Sequence, residues 1–535
     1  MKLNRKWLNE EFVDLSHVSD KEYVETLTVF GQKVETYERM DAEIKNVVVG
    51  KVVSIVRHTN SDHMWVCQVD VGQEEPVQIV TGAQNVHEGD LVPAALHNSW
   101  LPGGVHITKG KLRGEKSNGM LCSFAELGLT QNDLPGAYAD GIWILNDEDC
   151  KPGDDINLVI GNDDTVVDFE ITNNRPDCYS IIGLARESAA AFGMQMKHHK
   201  PVVKGSDVGS IYDYLDVEVP ATELCNRYSS RMVANVKIGP SPKWLRQRLR
   251  ANGVRPINNI VDITNYILHA MGQPLHCFDI DKIEGEKVVV RNCPQGTPFV
   301  TLDGVERKLD EADLMICNAS TPMCIAGVFG GLDSGVTETT TSIFLESAYF
   351  NPTSVRKTAR RHGINTDSSF RFERGVDPNG TLYALKLAAL MVLECAGGEV
   401  CGEIVDIYPE EIKPFPVTLN YAKLNSLIGK EIPTDTVDSI LDSLEINIAA
   451  RREGEIDLLV PTYRVDVQRP CDVIEDVLRI YGFNNIEISK TSTVLVWDEH
   501  FFNLFDIYIQ IMMSDEKYDD KVRLMQNLSL LMLSH

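Results

Sequence analysis

The hydrophobic period changes repeatedly along the chain, and no single architecture accommodates that. Trp7, Leu8, Phe12 and Leu15 recur at near-helical spacing, and Ser19-Asp20 can cap a second helix. Residues 47–56 then turn β-branched and strand-like. Further short strands are expected at 64–71, 77–81, 91–96 and 142–145, punctuated by Gly, Asn and Asp. An alanine-rich helix follows near 184–192 and an amphipathic one at 242–251. Beyond them come many short strands with Gly-rich turns, among them Gly327-Val-Phe-Gly330-Gly331. The last patterned stretch predicts a helix at 432–444, a strand near Leu458 and a helix from Pro470, where the first turn tolerates proline. At 535 residues the chain is too long for one core and should divide into several domains.

We therefore expect a multidomain α+β protein. Its parts are an N-terminal helical lead (1–38), a small β-barrel (39–150), a connecting segment (151–210), a larger mixed α/β domain (211–408) and a small α+β domain (409–487). A five-stranded OB-fold suits the barrel's strand count and tolerates long loops. The linkers are the polar stretch 197–210 and the Pro-rich stretch 409–416. A Met-, Leu- and Phe-rich tail (488–535) fits no domain. Met1 to Glu11 is charged and lacks the apolar run of a signal peptide, and no run of about 18 apolar residues suggests a membrane span. Twelve scattered cysteines without a C-x-x-C pair read as reduced thiols, so a cytoplasmic location is expected.

The net charge of −27 argues on its face against a nucleic-acid partner, but binding needs only a local basic footprint. Two candidates exist: Lys109, Lys111, Arg113 and Lys116 on a barrel loop, and Arg356, Lys357, Arg360, Arg361, Arg371 and Arg374. A solvated surface is the bland reading of either. Near Pro470, Asp472, Glu475 and Asp476 fall at i, i+3 and i+4 on one helix face, and Asp466 can point at the same spot. Clustered oxygen ligands suit Mg²⁺, whereas the bland reading is an acidic first turn favoured by the helix dipole. In the middle domain His276 sits in an apolar segment and Glu346 in an apolar, aromatic one. A lone histidine there is ordinarily a hydrogen-bonded core residue. A buried carboxylate is rarer because its desolvation is costly, though a structural ion pair would explain it. No P-loop, G-x-S-x-G or H-E-x-x-H pattern occurs.

Four stretches in order resemble the bacterial phenylalanyl-tRNA synthetase β-subunit family. They are Lys109 to Met120; Thr172-Asn-Asn-Arg-Pro-Asp177; a middle set of Gln273 to Asp279, Ala326 to Gly331, Leu345 to Phe350 and Arg371 to Asp377; and the acidic cluster running to Gly482. The resemblance covers residues 1 to about 489. It implies that 39–150 is an OB-type tRNA-binding domain and 211–408 an editing domain that hydrolyses tyrosine wrongly attached to the phenylalanine tRNA. It also implies that 409–487 is a winged-helix-like domain with a magnesium site. By the same resemblance His276, Gly330, Glu346, Thr366 and Ser368 belong to the editing pocket. Asp466, Asp472, Glu475 and Asp476 are implied as Mg²⁺ ligands, and Lys109, Lys111, Arg113 and Lys116 as tRNA contacts. The family's α subunit would carry aminoacylation, with ATP as substrate, in an α₂β₂ assembly. The sequence departs from the family in stopping short of its synthetase-like and anticodon-binding domains, which puts that assembly in doubt. The rival expectations are a freestanding trans-editing hydrolase and a non-catalytic tRNA-binding fragment.

Overall fold

The computed structural model describes residues 1–197, 199–206 and 208–487, so the tail expected at 488–535 lies outside the described residues. Met1–Phe483 form one compact unit, and everything below lies within it.

The barrel region contains strands Lys45–Arg57, Trp65–Asp70, Val77–Thr81, Leu91–Leu101 and Gly119–Leu121. Lys45–Arg57 pairs on one side with Trp65–Asp70, which continues to Val77–Thr81, and on the other with Leu91–Leu101, which continues to Gly119–Leu121. The two ends of this order approach each other: Asn118 donates its backbone N–H to the carbonyl of Gln78 at 2.9 Å. The stretch 142–145, expected as a strand, is not one. Its N–H groups make isolated bonds, Trp143 to the carbonyl of Cys122 and Leu145 to that of Leu91. Gly119–Leu121 takes the place in the sheet instead, where a Cβ on Gly119 would lie 2.4 Å from the Ala95 carbonyl oxygen.

The expectation of a purely helical N-terminal lead needs correction. Helices Arg5–Glu11 and Asp20–Val29 are present, the first capped by the Asn4 side chain. However, Lys2–Asn4 and Val34–Arg39 are strands that flank Thr165–Phe169 in a three-stranded sheet. The segment 151–210 is accordingly not a mere connection. It supplies that central strand and the helix Ile181–Phe192, whose Ile181, Leu184, Ala185 and Ala189 share a core with Trp7, Leu8 and Leu15.

In the middle domain, two sheets enclose a second core. One contains Leu275–Asp279, Ile343–Phe350 and Cys225–Ala234 side by side; the other runs Asp216–Glu218, Lys287–Asn292, Leu314–Cys317, Pro322–Ile325, Phe329–Gly330. Alternation along a strand sends neighbours to opposite faces. Cys277, Leu345 and Val233 therefore share the core that includes helices Asn259–Met271 and Thr381–Cys395, while Phe278, Phe344 and Met232 pack toward the second sheet. The small domain is a three-stranded antiparallel sheet (Phe415–Asn420, Glu455–Val460, Asn447–Arg452) with helices Tyr421–Ile428, Thr434–Ser443 and Pro470–Tyr481.

Candidate functional site

Three adjacent strands of the middle domain bring His276, Glu346 and Ser230 into one row. In the antiparallel register Glu346 stands opposite His276 on one side and Ser230 on the other. Residues directly opposite point to the same face. Tyr228, two residues from Ser230, shares it. A cavity of about 280 Å³ opens on this face, and His276, Gly330, Glu346, Thr366 and Ser368 all line it. The sequence-derived pocket set is thus assembled, although its members span almost a hundred residues.

Glu346 is only 5% exposed. Its Oε2 accepts a 2.8 Å hydrogen bond from the Tyr228 hydroxyl, and no cation pairs with it among the described residues. Burial raises its pKa to about 7, with the Tyr228 bond acting in the opposite direction. His276 packs edge-on against Phe278, ring centroids 4.4 Å apart, and its Nε2 is buried without a partner. Burial lowers its pKa to about 4, so the imidazole is neutral near pH 7. Gly330 lies against that ring: a Cβ there would stand 2.9 Å from His276 Cε1 and 2.9 Å from Leu302 Cδ1. Thr366 caps the helix Asp367–Phe372, and its hydroxyl donates to the Val328 carbonyl at 2.8 Å, fixing the opposite cavity wall. Sequence reasoning missed Tyr228 and Ser230. Their strand is more than a hundred residues from Glu346, and no local signal connects them.

The first basic footprint is an exposed hairpin, Gly110–Leu112 with Glu115–Ser117, on which Lys109, Lys111, Arg113 and Lys116 are all solvent-facing. Its two turn residues, Arg113 (φ 47) and Gly114 (φ 102), both take left-handed backbone. A two-residue turn of that kind favours Asn or Gly at its first position, so an arginine there costs conformational energy. Lys111 stands directly opposite Lys116, a like-charge pairing that is unfavourable until an anion lies across it. The His58 ring and Asn60 Nδ2 hold the hairpin through the carbonyls of Leu112 and Arg113. The second basic run is divided. Arg361 pairs with Asp313, Arg371 is buried against Asp367, and Arg374 lies over the Phe370 ring, which leaves Arg356, Lys357 and Arg360 exposed.

The acidic set does not form a cation cage. Asp466 accepts from Arg464 on both oxygens, at 3.0 and 3.1 Å. Asp476 accepts from Arg464 (2.7 Å) on one oxygen and Arg479 (2.9 Å) on the other. Asp472 is bound by Arg469 and by the N–H groups of Gln468 and Arg469, while Glu475 is exposed. Among the described residues, no three of the four come within reach of one ion. The residues therefore do not fit Mg²⁺ as arranged, because guanidinium groups already hold the oxygens an ion would use.

Two of these acids, Asp466 and Asp476, instead join a buried ion-pair ring with Asp177 and Glu187. Asp177 pairs with Arg175, Arg175 with Glu187, Glu187 with Arg479, Arg479 with Asp476, and Asp476 with Arg464. Arg464 pairs with Asp466, which returns to Arg175 at 3.9 Å. The neighbouring arginines hold the Asp177 and Glu187 carboxyls below their usual range against the effect of burial. Two sequence stretches that looked independent, around Arg175-Pro-Asp177 and around Asp476, meet here.

Comparison with known proteins places these features. The chain is 49% identical over 504 residues to the phenylalanine–tRNA ligase beta subunit of Bacteroides fragilis, covering 92% of this chain and 60% of the relative. It is 41% identical over 516 residues to that of Clostridium acetobutylicum, covering 96% and 64%. The chain belongs to the phenylalanine–tRNA ligase beta subunit family. It spans about 60% of the length of the Bacteroides fragilis relative. Family models match three segments in order: a tRNA binding domain over residues 47–153, a B3/4 domain over 224–397 and a tRNA synthetase B5 domain over 417–483. The cavity around Glu346 lies within the B3/4 match, the hairpin within the tRNA binding match, and the arginine-paired acids within the B5 match.

Proposed function

We propose that this chain supplies the tRNA-binding and proofreading modules of a phenylalanine–tRNA ligase and hydrolyses tyrosine from mischarged tRNA(Phe). The observation that carries this reading is Glu346, a carboxylate buried in a cavity wall beside His276 with no cation among the described residues to neutralise it. An apolar pocket rejects an added hydroxyl only modestly, by about 100-fold, so synthesis alone leaves tyrosine errors to be removed. The free oxygen of Glu346 accepts the substrate phenol. Phenylalanine offers no donor and leaves the acid desolvated, which weakens its binding. His276 is too weak a base near pH 7 for simple proton abstraction, so its part is to orient the ester or the attacking water through a hydrogen bond. In the holoenzyme, ATP-dependent aminoacylation belongs to an α subunit, in an α₂β₂ assembly in the cytoplasm.

The test is to mix the chain with Tyr-tRNA(Phe) and Phe-tRNA(Phe). We expect selective deacylation of the first. Glu346→Ala should lose about 10- to 100-fold in that preference, the range for a hydrogen bond to a charged group. Undiminished tyrosine-selective activity in the variant would overturn the assignment.

The barrel, read as an OB-type module, binds the tRNA backbone through Lys109, Lys111, Arg113 and Lys116. Neutralising Lys111 and Lys116 together should weaken tRNA binding without changing sequence preference. The slope of log affinity against log salt should fall by about 1 for each phosphate that the protein no longer neutralises. An unchanged slope in filter binding would exclude the hairpin from the interface.

A further inference from the structure

We propose that Tyr228 is the positioning residue of the editing carboxylate: its phenol permanently occupies Oε2 of Glu346, leaving Oε1 as the acceptor for a tyrosyl group in the cavity. This rests on the editing reading above and deepens it.

The geometry carries the inference. Tyr228 is fully buried, its hydroxyl lies 2.8 Å from Oε2, and the strand pairing that sets this distance also sets Glu346 against His276. Oε1 has no hydrogen-bond partner among the described residues, although its carboxyl group borders the cavity. The other groups facing Glu346 supply no counter-charge. Cys225 and Cys324 are buried thiols whose titration burial pushes well upward, and His276 is neutral. Ser230 Oγ is buried and unpartnered. Across the cavity Asp367 is held by Arg371. Among the described residues Tyr228 is therefore the one donor bonded to the carboxylate, favouring its ionised form in a setting that otherwise favours the neutral acid.

A selectivity mechanism follows from counting donors. A carboxylate with one built-in phenol can accept a second from tyrosine, and both donors stabilise the ionised form. A phenylalanyl group adds none. Discrimination is then strongest with Glu346 ionised, is present above its raised pKa of about 7, and declines as pH falls through that value. Tyr228→Phe keeps the ring and removes the donor. Without it Glu346 should hold its proton to higher pH, and Oε2 is freed to turn toward the cavity.

The experiment measures the ratio of Tyr-tRNA(Phe) to Phe-tRNA(Phe) hydrolysis from pH 5.5 to 9 (about 1.5 units below and 2 above that pKa) in wild type, Tyr228→Phe and Glu346→Gln. In Tyr228→Phe the midpoint should rise by about one pH unit, costing about fivefold in the ratio at pH 7, approaching about tenfold at lower pH, and regaining it at high pH. Glu346→Gln should give a low ratio without a pH midpoint. A Tyr228→Phe profile that superimposes on wild type, or one lowered equally at every pH, would overturn the proposal, since a structural defect does not move a midpoint. Should wild type hydrolyse neither ester, the editing reading fails on its own. The protonated-carboxyl infrared band absent from Glu346→Gln then tests the Tyr228 link directly: a raised midpoint in Tyr228→Phe supports it, and an unmoved one overturns it.

Discussion

Gly330→Ala should lower hydrolysis of Tyr-tRNA(Phe) by about 100-fold while leaving the urea midpoint of unfolding nearly unchanged. The rate estimate follows from what a displacement of about 1 Å does to an aligned catalytic group. The new methyl group would stand 2.9 Å from His276 Cε1 and 2.9 Å from Leu302 Cδ1, closer than real Cβ contacts allow, so the imidazole must tilt into the cavity or the strand must move back. Backbone strain does not enter: Gly330 is absent from the positive-φ glycines, so alanine can adopt its conformation. Stability should change little because the ring can yield into open space of about 280 Å³. Gly239→Ala is the matched control, since nothing lies within 4 Å of a Cβ there and its φ is ordinary. Deacylation kinetics of the two variants decide the matter. Full activity in Gly330→Ala would mean that His276 tolerates displacement and has no positioning role.

How far the sequence revealed this site depends on the range of the interactions. Val77–Thr81 is legible residue for residue, because a strand within a meander is defined by its own β-branched run and its adjacent turns. Gly119–Leu121 is not, because its place depends on a close approach to Ala95 that only glycine permits. Ile142 to Leu145 has the apolarity of a strand, but its N–H groups find single long-range acceptors. Lys2–Asn4 becomes a strand only because Thr165–Phe169 is there to pair with it. At the site, Glu346 stands out in sequence because a carboxylate among apolar residues is intrinsically costly. Tyr228 does not, since a tyrosine in a strand looks ordinary until the register of strands 118 residues apart is known. The acidic helix face was also legible, and Asp472, Glu475 and Asp476 do follow Pro470 on one helix. What the spacing could not give was the identity of the counter-ions, arginines from the same stretch, one of which, Arg479, also binds Glu187 292 residues away.

That substitution of guanidinium for metal has a large energetic consequence. Arg479 is about nine-tenths buried, pairs with both Glu187 and Asp476, and also donates to the Phe30 carbonyl at 2.9 Å. Arg479→Ala would leave two buried carboxylates, Glu187 and Asp476, with one cation fewer. Removing one partner of a buried pair costs about 3–5 kcal/mol, because the remaining charge loses its compensation without regaining water. The ring joins the B5 match to the segment around Arg175 and Glu187, so the loss should appear as earlier unfolding in urea rather than as a local defect. Arg479→Lys keeps the charge but not the fork of donors and should fall between wild type and alanine. If the same acids held Mg²⁺ instead, EDTA would lower the midpoint and added Mg²⁺ would raise it, since a ligand that binds only the native state stabilises it. We expect neither, because every oxygen of Asp466, Asp472 and Asp476 already accepts from a guanidinium or a backbone N–H. A midpoint that follows Mg²⁺ concentration, together with a mild Arg479→Ala phenotype, would show that the arginines are replaced by an ion when one is supplied.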